Sequence, residues 1–558
     1  HASFILRAYN ATPLNRLLGI PLTLNGTTTA QGEIDSERNA MWMNLTASSL
    51  QYGNEQLRNI DMHLESNYKS MLVNLGLQRT MKSRSSNVGL QTPGDDGKLT
   101  TRLFFDNNAN GFEKPSSTYA GDLSIESRLW QDSDGKQGFE GRILPSNFII
   151  SDTLWAVHPG HVSYYDGALQ VDSFRVSQGN RFISVEGRAS KLESDTLHAK
   201  LQRINLEYIF SLVNFHAVEL TGEATGEAYG HSLFSQPKAD AFIHIPQFAL
   251  NYGRLGDLDI HINWGDRPYS ILLDGNIKGD MLAAQNDTLP RIPITKVQGY
   301  ITPKKDIDYH GLDLNVNADH VNLEFINMWT SVIFDNLQGK ATGWARIFGP
   351  FKQINIEGDV VVNEGSLGVP YIGTRYHLIN DTVRLRPDNI YFTDAVLYDP
   401  QGNPGIRGHQ ALATGHLHHN SFKDMSYDIS IKGDNILGYN FTDFGDQNFY
   451  GTVYATGEIT LKGQPSETNI AIKARPERGT TFTYNATSPD KLTDTPFIAY
   501  KKREDWTMAG GDKNKEEDPE LEAEDIATNN DMHIDFDLDI DEQSTMNLLM
   551  DVRSGDKI

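Results

Sequence analysis

The 558-residue chain contains no cysteine, which excludes disulfides, thiolate metal sites and a cysteine nucleophile, and which suits an oxidising compartment without requiring one. It has no long apolar run: stretches such as LLGIPL, Leu17 to Leu22, fall far short of the roughly 20 residues that cross a bilayer as a helix. Positive charge is scarce, with 49 basic against 73 acidic residues and a formal net charge of −24, so the cationic footprint that nucleic acid or an anionic membrane surface needs is missing. Helical periodicity is limited to LNRLL (Leu14 to Leu18), LEYIFSLVNF (Leu206 to Phe215) and LEFINMWTSVIF (Leu323 to Phe334), each one to three turns long. Both ends read as cut, with His1 in place of an initiator and SGDKI closing on the start of another extended segment.

Chemical signatures are missing as well. There is no G-x-S-x-G, H-E-x-x-H or G-x-G-x-x-G, and GDDGKLT (Gly94 to Thr100) fails as a phosphate loop because Thr92 replaces the first glycine and Leu99 follows the lysine. DNNANG places Asp106, Asn108 and Asn110 at calcium-loop spacing, but Ser117 stands where the bidentate carboxylate belongs, so a plain turn is the better reading. His416 and His418 would share a strand face as a zinc pair, yet no third ligand is fixed beside them, and His409 and His419 read as solvated or cross-strand histidines. No cofactor, metal or enzymatic activity is expected.

What the chain does have is period-2 alternation. HIDFDLDID (His533 to Asp541) puts Ile534, Phe536, Leu538 and Ile540 on one side of an extended strand and four aspartates on the other. Met41, Met43 and Leu45 repeat the pattern, as do Ile60, Met62 and Leu64, and Tyr427, Ile429 and Ile431. The expected fold is all-β: a long series of half-buried antiparallel strands joined by Gly, Asn and Asp turns, with a few short helices. Each helix candidate precedes a Leu-x-Gly: Leu24 to Gly26, Leu220 to Gly222 and Leu337 to Gly339. GEIDSER from Gly32, GEAYGHS from Gly226, GWARIFG from Gly343 and GEITLKG from Gly457 then open strands in a degenerate repeat. Such a repeat suggests units stacked along one axis, although a meandering sheet also reuses glycine at turns. The resulting division is β segments 1–82, 99–205, 206–322, 323–435 and 436–488, an acidic insertion 489–531, and a last segment 532–558. Lys82 to Lys98 and Gly511 to Asp525 read as loops.

Alternation alone does not separate closed sandwiches from a sheet that curls and leaves a greasy trough. A resemblance bears on the choice. GKATGWARIFGPFKQINIEGDVVVNEGSLGVPYIGTRYHL (Gly339 to Leu378), GNPGIRGHQALATGHLHHNSFKDMSYDISI (Gly402 to Ile431), FYGTVYATGEITLKG (Phe449 to Gly463) and STMNLLMDVRSGDKI (Ser544 to Ile558) resemble the TamB proteins of the AsmA-like group. The resemblance is good from about Leu323 onward; before that only the repeat pattern carries it.

It implies a periplasmic β-taco, a curled sheet with an open hydrophobic groove, tethered to the inner membrane by an N-terminal helix that this chain lacks. It also implies contact with an outer-membrane barrel protein of the TamA/BamA type through regions mostly absent here, and phospholipid as the guest. The groove-facing candidates are Leu258, Ile260 and Ile262; Leu312, Leu314 and Val316; Ile354, Ile356, Val360 and Val362; and Phe536, Leu538 and Ile540. The expected function is bridge-like lipid transfer between the two membranes. The alternatives are a scaffold that captures outer-membrane strands by β-augmentation and, last, a carbohydrate-binding array suggested by 22 Tyr and 7 Trp.

Overall fold

In the computed structural model, which describes residues 1–485 and 531–557 apart from gaps whose longest are 9–21, 107–119, 208–218 and 400–409, the strands join in one mixed sheet. The chain is nearly all β, as the alternation requires. It divides into two compact units, residues 1–248 with 257–275, and residues 249–256 with 276–558.

In the first unit, the strands Thr28–Asp35, Ala40–Tyr52, Glu55–Ser66, Ser70–Met81, Arg84–Asp95, Lys98–Asp106 and Ala120–Gln131 pair antiparallel in sequence order. Their registers line up residues of one kind. Ala30 lies opposite Leu45, which lies opposite Met62, and the row continues through Leu75, Leu90, Leu103 and Leu123. One residue along, the neighbouring row reads Gln31, Asn44, His63, Asn74, Gln91, Arg102. Because successive side chains alternate faces, these two rows are the two faces of the sheet. Further along the same unit, Trp155, Val157, Val176 and Ile204 form a small buried core.

The loop expected at Lys82 to Lys98 is a correction: Arg84–Asp95 is a strand paired on both edges. Its serines and glycines disguise an alternation of Val88, Leu90 and Thr92, and Gly89 is small because the Phe104 ring lies over it. The loop expected at Gly511 to Asp525 lies outside the described residues, as do DNNANG beyond Asp106 and His409.

Of the helix candidates, Leu14 to Leu18 lies outside the described residues and only Leu206 and Glu207 of the second are described, both helical. The third forms a 3-10 turn, Glu324–Ile326, and a helical turn, Asn327–Thr330. Both described helices interrupt the connection between antiparallel partners: Thr196–Asn205 with Glu223–His231, and Gly311–Asn322 with Asp335–Gly349. Both are stitched identically. The Leu206 N–H donates to the Gly222 carbonyl at 3.0 Å and the Leu323 N–H to the Gly339 carbonyl at 3.1 Å, which explains why Leu-x-Gly follows each helix.

A second repeat, missed above, explains how the sheet bends. The tripeptide Ala-Thr-Gly occurs at Ala224, Ala341, Ala413 and Ala455, and each copy faces a β-bulge on the preceding strand. The second bulged residue, Arg203, His320, Asp394 or Asn435, has φ near +50°. Its N–H has no ladder carbonyl and donates instead to the threonine hydroxyl, at 3.0, 3.2, 3.0 and 2.9 Å respectively. The alanine and glycine lie on the opposite, apolar face. The repeat glycines Gly32, Gly226, Gly343 and Gly457 share one further property: a Cβ there would run into a carbonyl oxygen of the adjoining strand, that of Trp42, Phe242, Asp359 or Lys473. Bulges and strand glycines are the devices that twist and curve a sheet, and here they recur together.

Among the described residues, two pairings depart from the all-antiparallel expectation. Asp531–Leu538 runs parallel to Glu467–Pro476, and Thr545–Asp551 parallel to Thr481–Asn485. Parallel neighbours need a long connection, and the 486–530 segment supplies one.

Thr456→Val should lower stability by about 1 kcal/mol, because it leaves the Asn435 N–H without its acceptor. Thr452→Val, which removes only an exposed bond to the Asn440 side chain, should cost clearly less. Equal shifts of the denaturation midpoint in the two variants would show that the threonine does not close the bulge.

Candidate functional site

In the second unit the apolar row crosses ten strands without a polar member. Ala318 lies opposite Gly343, Gly343 opposite Val360, Val360 opposite Val383, and Val383 opposite Phe392. The row continues through Gly415, Ile429, Leu461 and Ile470 to Ile534. The adjacent row, on the other face, reads Asn317, Trp344, Asp359, Arg384, Tyr391, His416, Asp428, Lys462. That face carries cross-strand ion pairs: Arg346 with Asp313 at 2.8 Å and Glu357 at 3.3 Å, Arg386 with Asp359 at 3.3 Å, and Lys462 with Asp428 at 3.0 Å. Such solvated pairs add little stability and fix which face meets water.

The sheet places the expected residues as follows. Leu312, Leu314 and Val316 share a face with Ile356, Val360 and Val362, with Leu314 and Ile356 both opposite Ile347. These residues are half-buried except for Val362, which is buried with Leu323 and Ala341. Ile354 immediately precedes the Asn355–Val369 strand. Phe536 pairs opposite Ile472 and Leu538 opposite Ala474. Leu258, Ile260 and Ile262 lie on Gly253–Trp264, in the part of that strand that belongs to the other unit.

The apolar face is not uniform. Leu417, Tyr427, Ile429 and Leu461 are fully buried as a cluster, with Phe334, from the connection after the short helix, lying against them. A larger cluster gathers Val369, Ile372, Tyr376, Leu397, Ile436 and Tyr439. Its members span Thr374–Leu378 and Lys423–Phe441, strands that are not ladder neighbours, and the Tyr376 hydroxyl donates to the Leu437 carbonyl at 2.9 Å across the gap. The sheet therefore curls here until its own apolar face meets itself. Burial pushes the Tyr376 hydroxyl up to about 12 and raises Tyr439 as well.

Beside this filled region lies an open apolar cleft. Its floor is small: Gly433 lies opposite Gly457, and Gly457 opposite Ala474. Ile431, Ile459 and Ile472 form one wall, Tyr376, Tyr439 and Phe482 another, and Leu538, Ile540 and Met546 the mouth. Of the cleft, the sequence reading named only Leu538 and Ile540 as site residues. Ile459, Ile472 and Ala474 carried the same alternation and could have been found by it; the contribution of Tyr376 depends on a contact 61 residues away in the chain and could not.

Buried acids are structural. Asp381 accepts the Val396 N–H at 2.8 Å and the Ile379 N–H at 3.2 Å, with its carboxyl raised by burial, and Asp399 accepts the Leu437 N–H at 3.0 Å. His416 lies against Tyr391 on the polar face, and no group of three metal-capable side chains occurs among the described residues. No helix among them is long and apolar enough to cross a membrane.

An indole at Ala474 would fill the cleft floor. Ala474→Trp should abolish the fluorescence enhancement of an apolar dye bound there while leaving far-ultraviolet circular dichroism unchanged, and undiminished dye binding would mean that the cleft is not the dye site.

No curated protein and no solved structure is matched by this chain. A family description does match: residues 405–554, which hold most of the cleft, match the TamB C-terminal domain. That stretch is similar to the C-terminal domain of the TamB family, whose role at family level is in outer-membrane assembly and lipid transport.

Proposed function

We propose that this protein is a passive, non-enzymatic conduit in the periplasm that shields phospholipid acyl chains on its apolar face while the head groups stay in water, as part of a bridge between inner and outer membrane. The observation that supports this most is the Ala318-to-Ile534 row: ten strands with no polar member, sealed at Ile429, Leu461 and Ile470 but half-buried at Val360, Val383 and Phe392.

Energetics favour such a guest. Exposing an acyl chain of about 14 methylenes to water costs about 11 kcal/mol at about 0.8 kcal/mol per CH₂, and contact with half-buried Val, Ile and Leu offsets most of it. Along the half-buried stretches, aliphatic neighbours such as Val360 and Val383 keep adjacent positions similar in affinity, so a chain slides there without falling into a deep trap. Direction and driving force are supplied from outside. The inner-membrane tether and the contact with a barrel protein belong to the same reading.

Solvent extraction and mass spectrometry of the purified chain should recover phospholipid. Because the chain has no cysteine, a single cysteine at Ile472 can carry a photoreactive label without background. Val360→Asp should cut lipid recovery at least tenfold while keeping the strand content. Absence of lipid, together with crosslinks from a strand edge to outer-membrane barrel strands, would favour the β-augmentation scaffold instead.

A further inference from the structure

Tyr376 belongs at once to the wall of the cleft and to the filled cluster that closes the curl. Leu378, Ala395, Leu397 and Ala411 pack in the same cluster, and their strands lead through the ladder to those of Val383 and Val360. On its near side lie the cleft and the strands of the TamB C-terminal domain. The Tyr376 hydroxyl donates to the Leu437 carbonyl at 2.9 Å, a bond between non-neighbouring strands, with the Thr374 hydroxyl on its own strand beside it. Gly373, just before it, fits against the Asn440 carbonyl and the Phe441 ring, where a Cβ would collide. By contrast, the Tyr439 hydroxyl donates to the Phe449 carbonyl at 3.1 Å, a bond between adjoining strands that bridges nothing.

We propose that the cleft is a terminal compartment for one aliphatic chain, and that the Tyr376–Leu437 hydrogen bond is the latch separating it from the rest of the apolar face. The proposal rests on the lipid reading above and adds a barrier to it. Three hydroxyls of the cleft are satisfied within the protein: Tyr376 by Leu437, Tyr439 by Phe449, and Thr480 by the Tyr454 carbonyl at 2.8 Å, with Thr545 exposed beside them. A peptide entering the cleft would bring N–H and carbonyl groups that lose their water partners, whereas a hydrocarbon chain brings none. With the Val383 row closed at the Leu417–Leu461 cluster, a chain passing instead along Leu378, Leu397 and Ala411 enters the compartment when the Tyr376 ring swings aside and its hydroxyl leaves Leu437. The row thereby gains one step slower than the rest.

The test uses the full chain with a photoreactive phenylalanine analogue at Leu385, on the strand that carries Val383, or at Phe482, which already lines the cleft as an aromatic ring. The probe is vesicles of phosphatidylethanolamine and phosphatidylglycerol containing a trace of radiolabelled phospholipid. Leu385 should be labelled before Phe482. Tyr376→Phe, which keeps the ring and removes only the hydroxyl, should speed labelling at Phe482 about three- to tenfold and leave Leu385 unchanged. Tyr439→Phe should alter neither. Labelling of Phe482 as fast as Leu385 in the parent chain, or no acceleration in Tyr376→Phe, would overturn the latch while leaving the conduit standing. Label at Leu385 that never reaches Phe482 in any variant would overturn the compartment, and label at neither position would overturn the lipid reading and the latch with it.

Discussion

An apolar side chain on every second residue of a sheet can escape water in three ways: under a second sheet, against its own sheet once that sheet curls, or beneath a guest. In the second unit the described strands belong to one sheet, so among them the first way is closed and the other two divide the apolar face. The curl seals the Tyr376–Tyr439 region and the Leu417–Leu461 cluster, whereas Val360, Val383 and the cleft beside Gly433 and Gly457 stay partly open. One constraint thus produces both the filled stretches and the unfilled ones.

Curvature on this scale needs a local cause, and the Ala-Thr-Gly repeat provides one. Two residues on one strand oppose a single threonine on the next, and the threonine hydroxyl accepts the N–H that the ladder leaves over. Alanine and glycine on the other face keep the apolar side shallow where the strand bends. The same three residues therefore satisfy the bulge and leave room on the apolar face, a coupling visible at Gly457, which flanks Thr456 and lines the cleft.

Much of this was legible in the alternation, because a period of two admits only one assignment of faces and a register slip would invert it. Leu314 and Ile356 meet across Ile347 on the face their spacing predicted, and the four repeat glycines share one steric role. Other features were hidden for physical reasons. Arg84–Asp95 looked like a loop because composition weighs serine and glycine heavily, whereas its two paired edges decide its state. The parallel pairing of Asp531–Leu538 depends on which way a long connection returns, which no local pattern encodes. Tyr376 reads as an ordinary strand aromatic until the curl brings Leu437 to it.

The central claim, that the apolar row is open to a hydrocarbon guest, is tested most directly by spin labels on single cysteines placed along Val360, Val383 and Ile472 and, for contrast, along Asp359, Arg384 and Lys473 on the polar face. Collision rates with oxygen and with a water-soluble nickel complex are measured before and after mixing with phospholipid vesicles. The account predicts that lipid raises oxygen access and excludes nickel at the apolar positions alone. Apolar positions closed to both reagents, with or without lipid, would mean that the row is a sealed core and would contradict it.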